Sequence, residues 1–371
     1  HMSDTKITAI TMPKWGLSMV EGKIIDWLVD EGATIAVVDE IIDIETEKIA
    51  NTFEALDGGV LKRKVAQEDE TLPIGALLGV LAGAETPDTE VDAFITAFQA
   101  SYVPPEIDDE EDAGPGYERV QVDAYDLRYL RLGDGTDNII LIHGFGGDLD
   151  GWLLTQQPLS ANASVYALDL PGHGQSTKAV SDGSVPALAE IVAKFMDVLG
   201  IERAHLVGHS LGGAIALQTA VAHPGKVSAL SLIASAGLGK EINGAYLTGF
   251  VSAESRREIK PLLQQLVADP DLINRTLIDD ILKYKRLDGV TTALTTVAQG
   301  FLDGDTQKID LRDALGGLSI PVRVIWGSVD NIIPASHADG LADNVAVHVL
   351  DGYGHLVQLE AASEVNKLLQ G

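Results

Sequence analysis

Three stretches carry residue types that could do covalent chemistry. "GHSLGG" places Ser210 between Gly208 and Gly212, after the strand-like "AHLV" and before the helix-like "GGAIALQTAVAH". A serine on a tight strand-to-helix turn exposes its hydroxyl, and flanking glycines let strand and helix approach closely. The hydroxyl needs a base to become a nucleophile. Candidate partners follow in the order acid, then histidine: Asp330 in "GSVDNIIP" after the strand "VRVIWG", and His355 in "GYGH" after "VAVHVLDG". Upstream, "IILIHGFGG" puts His143-Gly144 at another strand end. The backbone N–H groups of Phe145 and Leu211 could converge there on a developing oxyanion, a stabilisation of about 2.7 to 4 kcal/mol per donor. The set describes acyl transfer through a serine ester.

Each assignment has a rival. Asp305 or Asp310 could serve as the acid, and His337 or His348 as the base, although His348 sits inside a strand. Ser210 could be an ordinary turn serine. His143, His173 (in "LDLPGHGQS") and His209 suit structural hydrogen bonds better than chemistry. No histidine and carboxylate spacing suggests a metal site.

A different chemistry-bearing residue stands near the start. In "IETEKIANTFEAL" two strand-like runs join at Thr46 to Lys48, which should project Lys48 from a hairpin tip. The surrounding residues repeat at an offset of 37: "GKIIDWLVDEGATI" aligns with "GVLKRKVAQEDETL", matching Ile24 with Leu61, Leu28 with Val65, Glu31 with Glu68 and Ile35 with Leu72. Two similar halves imply pseudo-twofold symmetry, and their short alternating runs imply a small all-β sandwich.

Three segments must position these groups. Residues 1–83 form the all-β module. Residues 84–118 hold Pro87, Pro104, Pro105, Pro115 and the block "EIDDEEDAGPG", with no Lys or Arg, and read as an acidic linker. As a coil of about 35 residues it would span roughly 30 to 35 Å, enough to carry the first module over much of a domain whose radius of gyration is near 18 Å. Inside it, Phe94, Phe98 and Tyr102 fall on one helical face, either packed on their own neighbours or available to a partner protein. From about 119 to 371, β-branched strands alternate with Ala- and Leu-rich helical stretches, which means a mostly parallel sheet covered by helices. Residues 239–310 break the rhythm with consecutive helices, a cap over the sheet's carboxyl edge.

Composition bounds the rest. A chain of 371 residues with 46% hydrophobic and 22% charged residues can fill two cores. The absence of cysteine excludes disulfides, thiolate metal sites and cysteine nucleophiles and suits a reducing cytoplasm. No apolar run reaches the roughly 18 residues needed to span a bilayer, and no secretion signal is visible; His1 before Met2 is set aside as a tag remnant. A formal charge of −29 argues against nucleic acid and anionic membranes as partners. Self-association into a homo-oligomer is left open.

Residues 119–371 resemble the α/β-hydrolase fold through "HGFGG", "DLPGHGQS", "GHSLGG", "GSVDNIIP" and "GYGH"; residues 8–83 resemble a lipoyl domain through "MPKWGLSMVEGKIIDWLVDEG", "ETEKIAN" and "PIGALLGVLAG". Biotin carriers share that second fold but flank their lysine with methionine, where this chain has Glu47 and Ile49. The combination is similar to the dihydrolipoyl acetyltransferase components of bacterial acetoin dehydrogenase (acetoin-cleaving) systems. That resemblance implies lipoate attached to Lys48, coenzyme A as acceptor, a thiamine diphosphate acetoin-cleaving enzyme that loads the arm, and a flavin dihydrolipoamide dehydrogenase that reoxidises it. It implies the triad Ser210, His355 and Asp330, with "SRREIK" (Arg256, Arg257, Lys260) and "KYKR" (Lys283, Lys285, Arg286) as candidate phosphate contacts or plain solvated helix faces. Unlike other 2-oxo acid dehydrogenase acyltransferases, the chain lacks an H-x-x-x-D-G signature and a basic subunit-binding segment. The alternative readings are a hydrolase that uses water as acceptor, and a carrier and scaffold subunit.

Overall fold

The computed structural model describes residues 6–15, 19–47, 49–105 and 117–371. The chain forms two compact units, 1–114 and 115–371.

Alternating side chains make the first unit two antiparallel sheets. One has the order β1-β8-β6-β3 (β1 Thr8–Thr11, β8 Leu77–Ala82, β6 Gly59–Lys64, β3 Thr34–Ile35) and the other β5-β4-β2-β7 (β5 Ala50–Glu54, β4 Glu40–Glu45, β2 Glu21–Trp27, β7 Thr71–Pro73). The 37-residue repeat is physical. Gly32 N–H donates to Leu61 O at 2.7 Å, and 37 residues on Asp69 N–H donates to Ile24 O at 2.8 Å. Both donors have positive φ, 92° and 69°. Ile24 and Leu61 are both fully buried. Symmetry breaks outside the core: Leu28 is 41% exposed, whereas its mate Val65 lies against α1 (Asp88–Ser101).

That helix changes the reading of the linker. Val91 is fully buried with Leu77 and Val80, Phe94 and Phe98 pack on the same cluster, and Tyr102 donates to Ile74 O at 2.7 Å. Phe98 and Tyr102 stack at 6.1 Å. The aromatic stripe is therefore spent inside the first unit, so the segment through Tyr102 belongs to that unit rather than to a flexible coil. The acidic block at 106–116 lies outside the described residues.

The second unit is built on an eight-stranded sheet of order β18-β17-β14-β13-β11-β12-β10-β9. β11 (Asn138–Ile142), β12 (Ser164–Leu168), β13 (Ala204–His209), β14 (Val227–Ile233), β17 (Val322–Gly327) and β18 (Val345–Leu350) run parallel, and β10 (Tyr125–Leu132) and β9 (Tyr117–Val122) complete one edge antiparallel. Ile140, Ile142, Leu206, Leu232 and Val324 are fully buried; parallel strands covered on both faces are apolar along their length. α2 (Gln156–Leu159) precedes β12, α3 (Val185–Leu199) precedes β13, α4 (Leu211–Ala222) follows it, and α9 (Val357–Glu360) and α10 (Ala362–Gln370) close the chain.

Between β14 and β17 stand α5 (Gly244–Ser252), α6 (Arg256–Gln264), α7 (Arg275–Lys285), α8 (Val290–Phe301) and the hairpin β15 (Leu302–Asp303) and β16 (Thr306–Gln307). Asn243, Ser255 and Asn274 cap α5, α6 and α7 by accepting backbone N–H bonds. These helices touch loops that leave the carboxyl ends of the strands: Tyr284 donates to Gly172 O at 2.9 Å, and the Phe145 ring lies 6.2 Å from Phe250 and 6.0 Å from Phe301. Among the described residues no helix is long and apolar enough to cross a membrane.

Candidate active site

Ser210 occupies the turn between β13 and α4 with φ 57° and ψ −120°. A non-glycine residue at positive φ costs of order 1 to 3 kcal/mol and persists only where surrounding structure dictates it. Here Ser210 N–H donates to Ile233 O (3.0 Å), and Ser210 O accepts from Gly213 N–H (2.9 Å) and Ala236 N–H (3.0 Å). The flanking glycines are demanded by contact: a Cβ on Gly208 would fall 2.2 Å from Gly212 O, and one on Gly212 would fall 2.1 Å from Ile142 O. That proximity brings the "HGFGG" loop beside the serine, since a Cβ on Gly144 would lie 3.1 Å from Ser210 Cβ.

His355 and Asp330 meet. His355 Nδ1–H donates to Asp330 Oδ2 at 2.8 Å, and both side chains are essentially buried, 4% and 0% exposed. Oδ2 also accepts from Trp326 Nε1–H (3.1 Å), while Oδ1 accepts from Ile332 N–H (2.8 Å) and Ile333 N–H (2.9 Å). Burial pushes the carboxyl up, but the adjacent His355 and these backbone bonds outweigh it and hold Asp330 below its ordinary range. Three of the rival residues are committed elsewhere: Asp305 accepts from Gly244 N–H, Asp310 from Arg312 N–H, and His337 Nε2 faces Glu241 at 2.8 Å. The fourth, His348, lies within β18, its Nε2 without a hydrogen-bond partner among the described residues.

The remaining histidines form the frame. His209 Nε2 lies 2.9 Å from His355 O; a carbonyl only accepts, so Nε2 carries the proton. His143 Nδ1–H donates to Gly144 O (2.7 Å) and its Nε2 accepts from Leu170 N–H (3.0 Å). His173 Nδ1–H donates to Pro171 O (2.9 Å) and its Nε2 accepts from Gly146 N–H (3.0 Å). These bonds fix neutral tautomers. Burial, the main cause in each case, lowers His143 to about 4, and His173 and His209 to about 3, with a neighbouring histidine adding to the last two. Phe145 lies on the "HGFGG" loop and Leu211 opens α4, and neither backbone N–H has a hydrogen-bond partner among the described residues.

Two contributors were not visible in the sequence. Trp326, at the end of β17, shares the carboxylate that holds His355. Asp169, wholly buried, pairs with Arg128 Nε (3.0 Å) and accepts from Leu149 N–H and Gln175 N–H, so that "DLPGHG" is pinned beneath the "HGFGG" loop. The only sequence signal for that pin is the glycine spacing; a Cβ on Gly174 would fall 2.2 Å from Asp169 Oδ2.

The cap cations are partly corrected. Lys285, expected as a phosphate contact, is 8% exposed: its Nζ donates to Ala253 O and stands 5.4 Å over the Phe250 ring, because a long aliphatic stem packs well in an apolar cap. Arg256 is bidentate on Asp279 (2.7 and 3.0 Å) and Arg286 reaches Glu254 O (3.5 Å). Arg257, Lys260 and Lys283 are exposed.

In the first unit, Glu45 pairs with Ala50 and the turn between them is closed by Thr46 N–H to Ile49 O (2.8 Å) and Ile49 N–H to Thr46 Oγ1 (3.2 Å). Lys48, the expected attachment residue, lies outside the described residues. Among those described, no cluster of three metal-ligating side chains exists.

Known proteins carry the same parts. The alpha/beta hydrolase fold family matches residues 137–362, and the family described as biotin-requiring enzyme, whose model covers biotin and lipoyl carriers, matches residues 8–81. A solved hydrolase of 2-hydroxy-6-oxo-6-phenylhexa-2,4-dienoate from Rhodococcus sp. strain RHA1 superimposes with a TM-score of 0.61 over 68% of this chain and 96% of its own, at 24% identity, a likeness of fold. Two curated proteins named dihydrolipoyllysine-residue acetyltransferase component of acetoin cleaving system, from Cupriavidus necator and Pseudomonas putida, are each 48% identical over 98% of this chain and over 96% and 97% of their own length. With both units matched in one continuous alignment, the chain belongs to the family of dihydrolipoyllysine-residue acetyltransferase components of acetoin cleaving systems.

Proposed function

We propose that this protein moves an acetyl group from a dihydrolipoyl thioester to coenzyme A through Ser210, His355 and Asp330. The observation that carries the reading is the His355 Nδ1–H bond to Asp330, on a loop whose His355 carbonyl is held by His209, the residue before a serine at φ 57°. With Nδ1 protonated, the free lone pair is on Nε2, the nitrogen a serine proton needs.

Lipoate, amide-linked to Lys48, would in its reduced dihydrolipoyl form supply a thiol that carries acyl groups as thioesters. The hydrogen-bonded pair Thr46 and Ile49 closes the β4–β5 hairpin, and a hairpin of this kind suits such a carrier. In the second unit Ser210 Oγ attacks the thioester carbonyl as its proton passes to His355 Nε2. Asp330 stabilises the imidazolium, and the N–H groups of Phe145 and Leu211 take the oxyanion. The thiol departs with the proton from His355, leaving acetyl-Ser210. His355 then accepts the coenzyme A thiol proton, the thiolate attacks the ester, and Ser210 is regenerated. Tethering on one chain keeps the acyl donor at an effective concentration in the millimolar range. As a component of an acetoin cleaving system the protein works with other components; we infer a thiamine diphosphate enzyme that cleaves acetoin and a flavin dihydrolipoamide dehydrogenase.

Acetyl-dihydrolipoyl protein incubated with and without coenzyme A, as wild type and Ser210→Ala, tests this. Wild type should form acetyl-CoA and release little acetate when coenzyme A is absent, and Ser210→Ala should lose at least 10³-fold in rate. Free acetate formed equally fast without coenzyme A would make the protein a hydrolase. Undiminished acetyl-CoA from Ser210→Ala would remove the serine route.

A further inference from the structure

The backbone around His355 is held at three successive points. Gly354 N–H donates to Glu360 Oε1 at 2.8 Å, His355 O accepts from His209, and Leu356 N–H donates to Leu266 O at 3.0 Å. Two of the three lead into the cap. Leu266 belongs to the segment between α6 and α7, and Glu360, at the end of α9, also accepts from two amides of that segment: Ala268 N–H (3.0 Å to Oε1, 2.9 Å to Oε2) and Asp269 N–H (3.1 Å to Oε2). The two loops are in van der Waals contact, for a Cβ on Gly354 would lie 3.0 Å from Ala268 N. Thus one half-buried carboxylate gathers an N–H from the residue preceding the general base and two from the cap.

Ionised carboxylates bind backbone N–H groups through charge-assisted bonds, short and strongly oriented. A carboxylate placed between two chain segments fixes their separation more tightly than apolar packing does, because its lone pairs accept only along set directions. The Asp330 bond fixes the imidazole about its Nδ1 end only, and the angle at which Nε2 meets Ser210 depends on where the His355 backbone sits. We propose that Glu360 is a positioning residue for the acyl-transfer reaction, locking the His355 loop to the cap segment 266–269, so that the imidazole is aligned only while the cap is seated. The proposal rests on His355 being the general base.

The test uses the full-length lipoylated protein, with S-acetyl-dihydrolipoamide and coenzyme A as substrates. Glu360→Ala should lower kcat about 10- to 100-fold, the penalty expected for roughly 1 Å of misplacement, while KM for the acyl donor stays within about threefold. The downfield proton resonance of the His355–Asp330 hydrogen bond should broaden or vanish. Glu360→Gln, which keeps one acceptor oxygen, should recover part of both kcat and the resonance. Wild-type kcat in Glu360→Ala, alongside an inactive His355→Ala, would overturn the proposal and leave the triad standing. A Glu360→Ala enzyme that loses activity only in proportion to unfolded protein, with a sharp unshifted resonance, would overturn it too. Activity retained in His355→Ala would instead remove the reading beneath it.

Discussion

Replacing Asp330 by asparagine changes one atom and should nearly silence the enzyme. Four donors converge on this carboxylate: His355 Nδ1–H and Trp326 Nε1–H on Oδ2, and the Ile332 and Ile333 amides on Oδ1. An asparagine must aim its NH2 group at one pair or the other. Aimed at Ile332 and Ile333, it loses two bonds to a charged acceptor. Aimed at His355, it opposes the Trp326 N–H and forces the imidazole to carry its proton on Nε2, where it can no longer accept one from Ser210. Two lost charge-assisted bonds, at about 1.5 to 3 kcal/mol each, total about 3 to 6 kcal/mol. If about 4 kcal/mol of that falls on the transition state, kcat drops roughly 10³-fold. Steady-state acetyl transfer to coenzyme A measures it, with a melting curve to establish folding. Trp326→Phe, which removes only one neutral donor, should cost closer to tenfold. A folded Asp330→Asn protein within tenfold of wild-type kcat, or a Trp326→Phe loss that equals it, would refute the argument.

Gly212→Ala should fail to accumulate as folded protein or melt far lower, since its Cβ would sit 2.1 Å from a strand carbonyl; a melting temperature within a few degrees of wild type would contradict this. Acid should act through the buried neutral histidines. His143 has its folded pKa lowered to about 4 against 6.5 unfolded, so its contribution is intact above 6.5 and is lost as pH falls towards 4, roughly 2 kcal/mol by pH 5. Because relief of repulsion among the acidic side chains opposes this, denaturant titrations at pH 7 and 5 should compare wild type with His143→Asn, and an identical pH dependence would exclude the effect. Finally, a fragment of residues 6–105 should unfold about 2 to 4 kcal/mol later than residues 6–83, since α1 buries Val91 and covers apolar sheet surface; equal denaturation midpoints would mean that the helix adds nothing.

The tight turn at Ser210 was readable because its signal is local. The strained turn demands a small residue two places before and after, and those glycines are adjacent in the chain. Lys48 was singled out by the repeat, whose partner hydrogen bonds at Gly32 and Asp69 are present in the fold. The acid was less legible. Asp330 was favoured by its place after a strand but kept Asp305 and Asp310 as rivals in the sequence, and what separates them in the fold is a 2.8 Å contact with a histidine 25 residues further on. Lys285 read as a surface cation like Lys283 two residues before it, yet helical rotation turns one inward against Phe250 and leaves the other exposed. Likewise, the stripe of Phe94, Phe98 and Tyr102 could not say what it covers.

By itself, then, the sequence determined the parallel strands, the two-unit order, the strained turn at Ser210 and the symmetric first unit, because side-chain period and glycine spacing act over a few residues. Only the tertiary structure decided which carboxylate meets His355, which tautomers the framing histidines hold, and that Glu360 joins the His355 loop to the cap. Such choices depend on segments as far apart as His209 and His355, separated by 146 residues, closing to 2.9 Å, and no short-range pattern encodes a distance of that kind.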